Sequence, residues 1–281
     1  MKQIVYKIFI LISISICFNF SFAEISRPQA SMPIRVLLIP GHDDEVWGAQ
    51  YKNIKEAAMN LAVAKRLHAI LAKDNRFEVY ITRDSTGYVK EFSDYFKNKE
   101  DEIISFKENA RIEMQNKINN GDFIQKEGVP HNDASKDVAI KLYGFNKWAN
   151  ENGVDAMIQI HFNDYHRPQN WAMGKYKGFV IYMPDGELSN WKESSKLAGD
   201  VFMQLSKKYT TSTYKKELGG LVPDQKLIAL GANGTLLPSV RSILIEYGYI
   251  YSLGNSVARH RAYDNMASLT AVGIKNYFFN K

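Results

Sequence analysis

Apolar runs of strand length recur along this chain, separated by stretches long enough to form helices. They are "RVLLI" (35–39), "FEVYI" (77–81), "DAMIQIH" (155–161), "GFVIYM" (178–183) and "SILIEYG" (242–248), each rich in β-branched or aromatic residues and bounded by turn signals. Continuous apolar runs mark strands buried on both faces, the condition of a parallel sheet covered by helices. The clearest helix is expected over 54–73, where Ile54, Ala57, Ala58, Leu61, Leu67 and Leu71 recur near one face at the 3.6-residue period. Further helices are expected at 136–152, 191–209 and 258–277. The predicted fold is α/β, a mostly parallel twisted sheet with helices on both faces.

That scaffold closes without residues 84–135. The segment opens on a turn-like "DSTG", holds an amphipathic stretch around 101–118 (Ile103, Phe106, Ala110, Met114, Ile118) and ends in "GDFIQKEGVPHND". It reads as one helical insertion within a single domain spanning 24–281. Residues 1–23 read as a signal peptide: Lys2 and Lys7 supply charge, Ile8 to Phe20 form an apolar run, and Ser21-Phe22-Ala23 offers a small-x-small cleavage site. The run falls short of the about 20 apolar residues that span a bilayer, and no stop-transfer pattern follows. The expected product is therefore exported, to the periplasm or the extracellular cell wall, with no stable membrane insertion after cleavage. Its removal takes away Cys17, the chain's single cysteine, so neither a disulfide framework nor a thiolate metal site is available. The excess of 36 basic over 30 acidic residues is scattered, with no basic and aromatic stripe, which argues against a nucleic-acid partner.

In open α/β sheets, ligands gather outside the carboxyl ends of the strands, so a polar residue that ends an apolar strand is a strong site candidate. His42 follows "VLLIPG", His161 ends "AMIQI" and Glu246 ends "SILI", while Glu56 sits in the first turn of the helix after the His42 loop. With parallel, adjacent strands all four side chains meet at one rim. Two imidazoles and one carboxylate hold catalytic Zn²⁺ while leaving a fourth position open, and the remaining carboxylate can then act as a base.

These residues also lie in segments that resemble the zinc-dependent N-acetylmuramoyl-L-alanine amidases that cleave bacterial cell walls. "LLIPGHDDEVWGA" is similar to the family's strand-Pro-Gly-His loop, "KEAAMNLAVAKRLHAIL" to its Glu-bearing helix and "FEVYITRD" to its second strand. "NKWANENGVDAMIQIHFND" and "PSVRSILIEYGYI" resemble the segments that carry the second histidine and the last carboxylate. The resemblance implies that His42, Glu56 and His161 bind Zn²⁺ and that Glu246 is the catalytic glutamate. It implies hydrolysis of the amide between N-acetylmuramic acid and L-alanine in peptidoglycan or muropeptides, in cell-wall remodelling or daughter-cell separation. It also implies that a protein activator could act on the insertion, since some periplasmic relatives are blocked by an inserted helix. Asp43 and Asp44 stand where the family has glycines, Phe162 replaces a small residue and Tyr249 replaces Phe, all of which bear on loop shape.

Two other functions use the same residues: a zinc carboxypeptidase or endopeptidase acting on stem peptides, and a non-catalytic wall-binding protein of the same fold. Among the remaining groups, Arg83 and Asp84 are expected to pair across their loop, Asn163 and Asp164 to support His161, and His166 to lie at the site's rim. His68, His131 and His260 have no evident companion in the sequence.

Overall fold

The computed structural model describes residues 32–280, so the expected signal peptide at 1–23 lies outside the described residues. In chain order the elements are β1 (Ile34–Pro40), β2 (Gln50–Tyr51), β3 (Ile54–Lys55), α1 (Glu56–Leu71), β4 (Phe77–Ile81), β5 (Arg83–Asp84), β6 (Gly87–Tyr88), α2 (Lys90–Asn98) and α3 (Glu100–Asn120). They continue with α4 (Lys136–Glu151), β7 (Ala156–Asn163), β8 (Val180–Pro184), α5 (Trp191–Leu205), β9 (Leu221–Asp224), β10 (Arg241–Tyr249) and α6 (Ser256–Phe279). No helix among the described residues is long and apolar enough to cross a membrane.

The central sheet has the order β4-β1-β7-β10-β8-β9. Strands β4, β1, β7 and β10 run parallel, whereas β8 pairs antiparallel to β10 and carries β9 alongside it. The sheet is thus mostly parallel, as the apolar runs predict. Strand β9 lies outside the five apolar runs, and its "LVPD" contains a proline. As the outermost strand it leaves one edge unpaired, where a missing N–H is tolerated.

Side-chain alternation divides the core between the two faces. Val36, Leu38, Ile158, Ile160, Ile243 and Ile245 pack under α1, α5 and α6. Leu37, Ile39 and Met157 face the other way, against Phe92 of α2 and Phe145 and Trp148 of α4. Residues 84–135 are therefore built into the second layer. Phe92 is fully buried, with its ring 4.8 Å from Trp148 and 5.8 Å from Phe145. Gly144 of α4 makes room for this packing, since a Cβ there would lie 2.7 Å from the Phe96 ring.

After α3 ends at Asn120, the chain runs back over β8 and β9. Val129 is buried beside Val180 and Tyr182, Lys126 Nζ lies 2.8 Å from Asp185, and His131 Nε2 lies 2.9 Å from Asp224. His131 thus has a companion that sequence spacing could not reveal, on an edge strand far along the chain.

Candidate metal centre

Strand register brings the site together. Pro40 pairs with Ile160 and Glu246 with His161, so the ends of β1, β7 and β10 lie side by side. Just beyond β1, the Gly41 N–H still donates to the Ile160 carbonyl at 2.9 Å. His42 then turns out of the sheet with φ +62°, a left-handed conformation that costs a non-glycine residue about 1–2 kcal/mol.

The surroundings hold that conformation. Asp43 Oδ1 accepts from the backbone of Glu45 (3.0 Å) and Val46 (2.8 Å), and its Oδ2 meets Tyr88 Oη (3.2 Å) and Lys141 Nζ (3.1 Å). Arg83 is buried and donates to the carbonyls of Pro40, Gly41 and Ala57 at 3.2, 3.2 and 2.7 Å. It stitches the end of β1 to the first turn of α1. Asp84 instead accepts from Thr86, so the expected Arg83–Asp84 pair is replaced by two separate roles.

Glu56, the first residue of α1, turns its carboxylate back between the two imidazoles. Oε2 lies 3.2 Å from His42 Nε2, and Oε1 lies 3.1 Å from His161 Nδ1. The Ala49 N–H (3.0 Å, to Oε2) and Asn60 Nδ2 (3.2 Å, to Oε1) orient it further. Two glycines fit the backbone around this cluster. A Cβ on Gly41 would lie 2.0 Å from His161 Cε1, and one on Gly48 would lie 2.4 Å from Glu56 Oε2 and 2.5 Å from His42 Cδ2.

The ionisation of the cluster follows from burial and pairing. Burial alone would raise the Glu56 pKa, but hydrogen bonds to His161 and His42 outweigh it and hold the carboxyl well below its usual range. Burial keeps His161 below the ordinary imidazole value. His42 is also opposed by burial, yet its contact with Glu56 wins and raises it.

A neutral imidazole and an ionised carboxylate are the forms that bind metal. Donor atoms of His42, Glu56 and His161 all lie within 4.8 Å of one another. Two imidazole nitrogens and a carboxylate oxygen are donors that zinc takes. The donor set and its spacing fit a single ion.

Glu246 is adjacent but differently disposed. Its Oε2 is buried with no hydrogen-bond partner among the described residues, and burial, then the charges of Glu56 and Glu217, push its pKa well above the ordinary carboxylate value. Arg241 does not neutralise it, being engaged with Tyr277 Oη (2.9 Å) and the Ser239 carbonyl (2.7 Å) at the start of the strand. His42 and His161 open on a cavity of about 690 Å³, whereas Glu246 lines a neighbouring one of about 290 Å³. Val129, Pro130 and His131, with Leu227 and Leu244, line both.

Glu217 is a buried group that nothing in "KKELGG" signalled. It accepts from Tyr182 Oη (2.8 Å), Asn163 Nδ2 (2.9 Å), Tyr249 Oη (3.2 Å) and Ser212 Oγ. Asn163 therefore supports Glu217 rather than His161, and Asp164 is paired with Arg167. His166 is exposed in a groove beside the site, His68 lies in the last turn of α1, and His260 Nδ1 is 3.3 Å from Arg66.

This is an α/β protein with a two-histidine, one-carboxylate cluster at the carboxyl ends of its parallel strands, the donor composition that holds a catalytic divalent metal. The family model for N-acetylmuramoyl-L-alanine amidase matches residues 36–276, and the chain belongs to that family. Among solved structures it is similar to the CwlD amidase of Clostridioides difficile, solved in complex with the GerS lipoprotein. The identity is 16%, with 88% of this chain and 100% of that one covered and a TM-score of 0.55. It is similar also to the catalytic domain of CwlV from Bacillus (Paenibacillus) polymyxa var. colistinus (15% identity, 88% and 99% covered, TM-score 0.55). Ami1 of Mycobacterium abscessus is a third such structure (14% identity, 88% and 99% covered, TM-score 0.55). At these identities the likeness shows the fold. No curated protein matches the chain by sequence.

Proposed function

We propose that this chain is an exported zinc amidase that cleaves the bond between the lactyl group of N-acetylmuramic acid and the L-alanine of the peptidoglycan stem peptide. The observation that carries the reading is the convergence of His42, Glu56 and His161 within 4.8 Å beside the unpartnered carboxyl of Glu246, in a chain of the amidase family. His42, Glu56 and His161 would hold Zn²⁺. When bound, the ion supplies Lewis acidity toward the scissile carbonyl and lowers the pKa of water.

The protein's own groups do the rest. Ala49 and Asn60 fix Glu56, and Arg83 and Asp43 hold the loop that presents His42, so the site is organised before substrate arrives. Glu246 takes the proton of the attacking water on its carboxylate and delivers it to the leaving amine nitrogen of L-alanine. Acid–base work of this kind contributes ~10²–10⁴-fold. Glu246→Gln should retain zinc and lose wall hydrolysis by that factor; a zinc-loaded variant of normal activity would remove Glu246 from the mechanism.

Residues 24–281 act in this reading as a single catalytic domain, with 84–135 as the segment through which activity is controlled. The strap Val129–His131 lines both the cavity at the metal cluster and the one at Glu246, and is tethered by the Lys126–Asp185 and His131–Asp224 contacts. A protein activator that draws this strap aside would join the two cavities. CwlD is a relative whose structure contains a lipoprotein partner. His131→Ala, which frees one tether, should raise wall turnover without activator; lower turnover would argue that the strap positions substrate instead.

A further inference from the structure

Beside the metal cluster lies a groove of about 460 Å³ lined by Gln50, Asn132, Tyr165, His166, Gln169 and Asn170, together with an ion pair. Asn132 also lines the cavity that holds His42 and His161, so the groove adjoins the candidate metal centre. The ion pair is Asp164 with Arg167, joined by two contacts of 2.8 Å, and its charges offset each other. Amide side chains predominate on the rest of the wall, and each offers both donors and an acceptor. By contrast, the larger cavity carries charges of both signs, including Asp43, Glu127, Lys141 and Lys226.

The rim is aromatic. Trp171, next to Asn170 in sequence, is 62% exposed, and Tyr165 on the groove wall is also exposed, whereas Trp47 on the neighbouring loop carries Lys55 Nζ 4.0 Å over its ring. The loop carrying Trp47 and the loop carrying Trp171 are fastened together. Lys52 N donates to the Asn170 carbonyl (3.0 Å), Arg167 to the Gln50 carbonyl (2.8 Å), and Tyr51 Oη lies 3.3 Å from Met173 Sδ. The Trp47 loop also reaches the metal cluster through Gly48. A large ring held in water on a fixed scaffold, as Trp171 is, offers a flat apolar face to a partner.

We propose that this groove, with Tyr165 on its wall and Trp171 beside it, seats the glycan strand of peptidoglycan. Sugar rings of N-acetylated hexosamines present apolar faces to aromatic rings, and uncharged hydroxyl and acetamido groups to amide side chains. A neutral polar groove with an aromatic rim matches both. The inference rests on the amidase reading, in which the scissile amide hangs from a sugar, so that glycan must lie alongside the metal cluster. His166 and Gln169 are then sugar-contacting residues, and the two-signed larger cavity is left for the charged stem peptide.

The test is calorimetric titration of the full chain, incubated with zinc, against chitohexaose, an N-acetylglucosamine oligomer with no lactyl amide to cleave. The wild-type chain should bind it, and Trp171→Ala should weaken binding roughly tenfold, the scale of one lost aromatic contact. Gln169→Ala, at an exposed position, should weaken it in the same direction. Absence of binding by the wild-type chain, or binding that neither substitution changes, would overturn the proposal. Amide release from peptidoglycan by the same preparation separates the two readings. Variant-sensitive glycan binding without hydrolysis would support the groove and sink the amidase reading; hydrolysis with variant-insensitive binding would do the reverse.

Discussion

Gly48→Ala tests whether the loop around the cluster is shaped for metal. Gly48 has φ +72°, and an added Cβ would lie 2.4 Å from Glu56 Oε2 and 2.5 Å from His42 Cδ2. The substitution therefore carries two costs: a left-handed alanine, about 1–2 kcal/mol, and displacement of the Glu56 and His42 side chains. Gly121, the residue that caps α3, separates them. Its φ is +79° and a Cβ there meets nothing within 4 Å, so Gly121→Ala carries the backbone cost alone. Both variants should lose about 2–4 °C of melting temperature per kcal/mol, as expected for a domain of this size. Zinc affinity, measured by competition with a chromogenic chelator, should fall ~10–100-fold for Gly48→Ala, the scale seen when ligand orientation is disturbed, and should not change for Gly121→Ala. Equal zinc affinity in the two variants would refute the reasoning, because the collision would then have no consequence for those side chains.

Phe92→Ala should destabilise the whole domain by about 3–5 kcal/mol in denaturant unfolding, since its ring is fully buried against Phe145 and Trp148; a loss below about 1 kcal/mol would mean that residues 84–135 are energetically separate. Asp224 tests the strap through pH. Burial pushes its carboxyl upward, but His131 and the backbone N–H groups of Leu227 and Lys226 hold it below the usual value. A lowered carboxylate pKa stabilises fully above the unfolded value near 3.9, and the contribution disappears as pH falls through the folded value. The melting-temperature gap between wild type and Asp224→Asn should thus be present at pH 6 and close in stronger acid; a gap that widens on acidification would contradict the assignment.

Much of the fold is legible because burial writes it plainly. The runs at 35–39, 77–81, 155–161, 178–183 and 242–248 all become strands of one sheet, and the 54–73 periodicity becomes α1. What escapes are elements whose stability comes from elsewhere. Strand β9 contains Pro223 and exists because an edge position tolerates it, and the nine residues of α2 are held chiefly by Phe92 against α4. The same division holds at the site. His42, Glu56 and His161 stand where strand ends and a helix start must place them, and the structure brings their donor atoms together. Glu217, the His131–Asp224 pair and the buried fork of Arg83 depend on contacts between distant parts of the chain, which no local spacing encodes. Asp43, a departure from the family's glycines, proves to be the acceptor that closes the turn after His42.

The central claim is the bond that is cut. Mass spectrometry of purified peptidoglycan, digested with the zinc-loaded protein and with the chelator-treated protein, reads it directly. Intact stem peptides beginning with L-alanine, together with glycan stripped of peptide, should appear in the zinc-loaded digest alone. Release of a D-amino acid, a cut inside the stem peptide, or undiminished cleavage after chelation would contradict it.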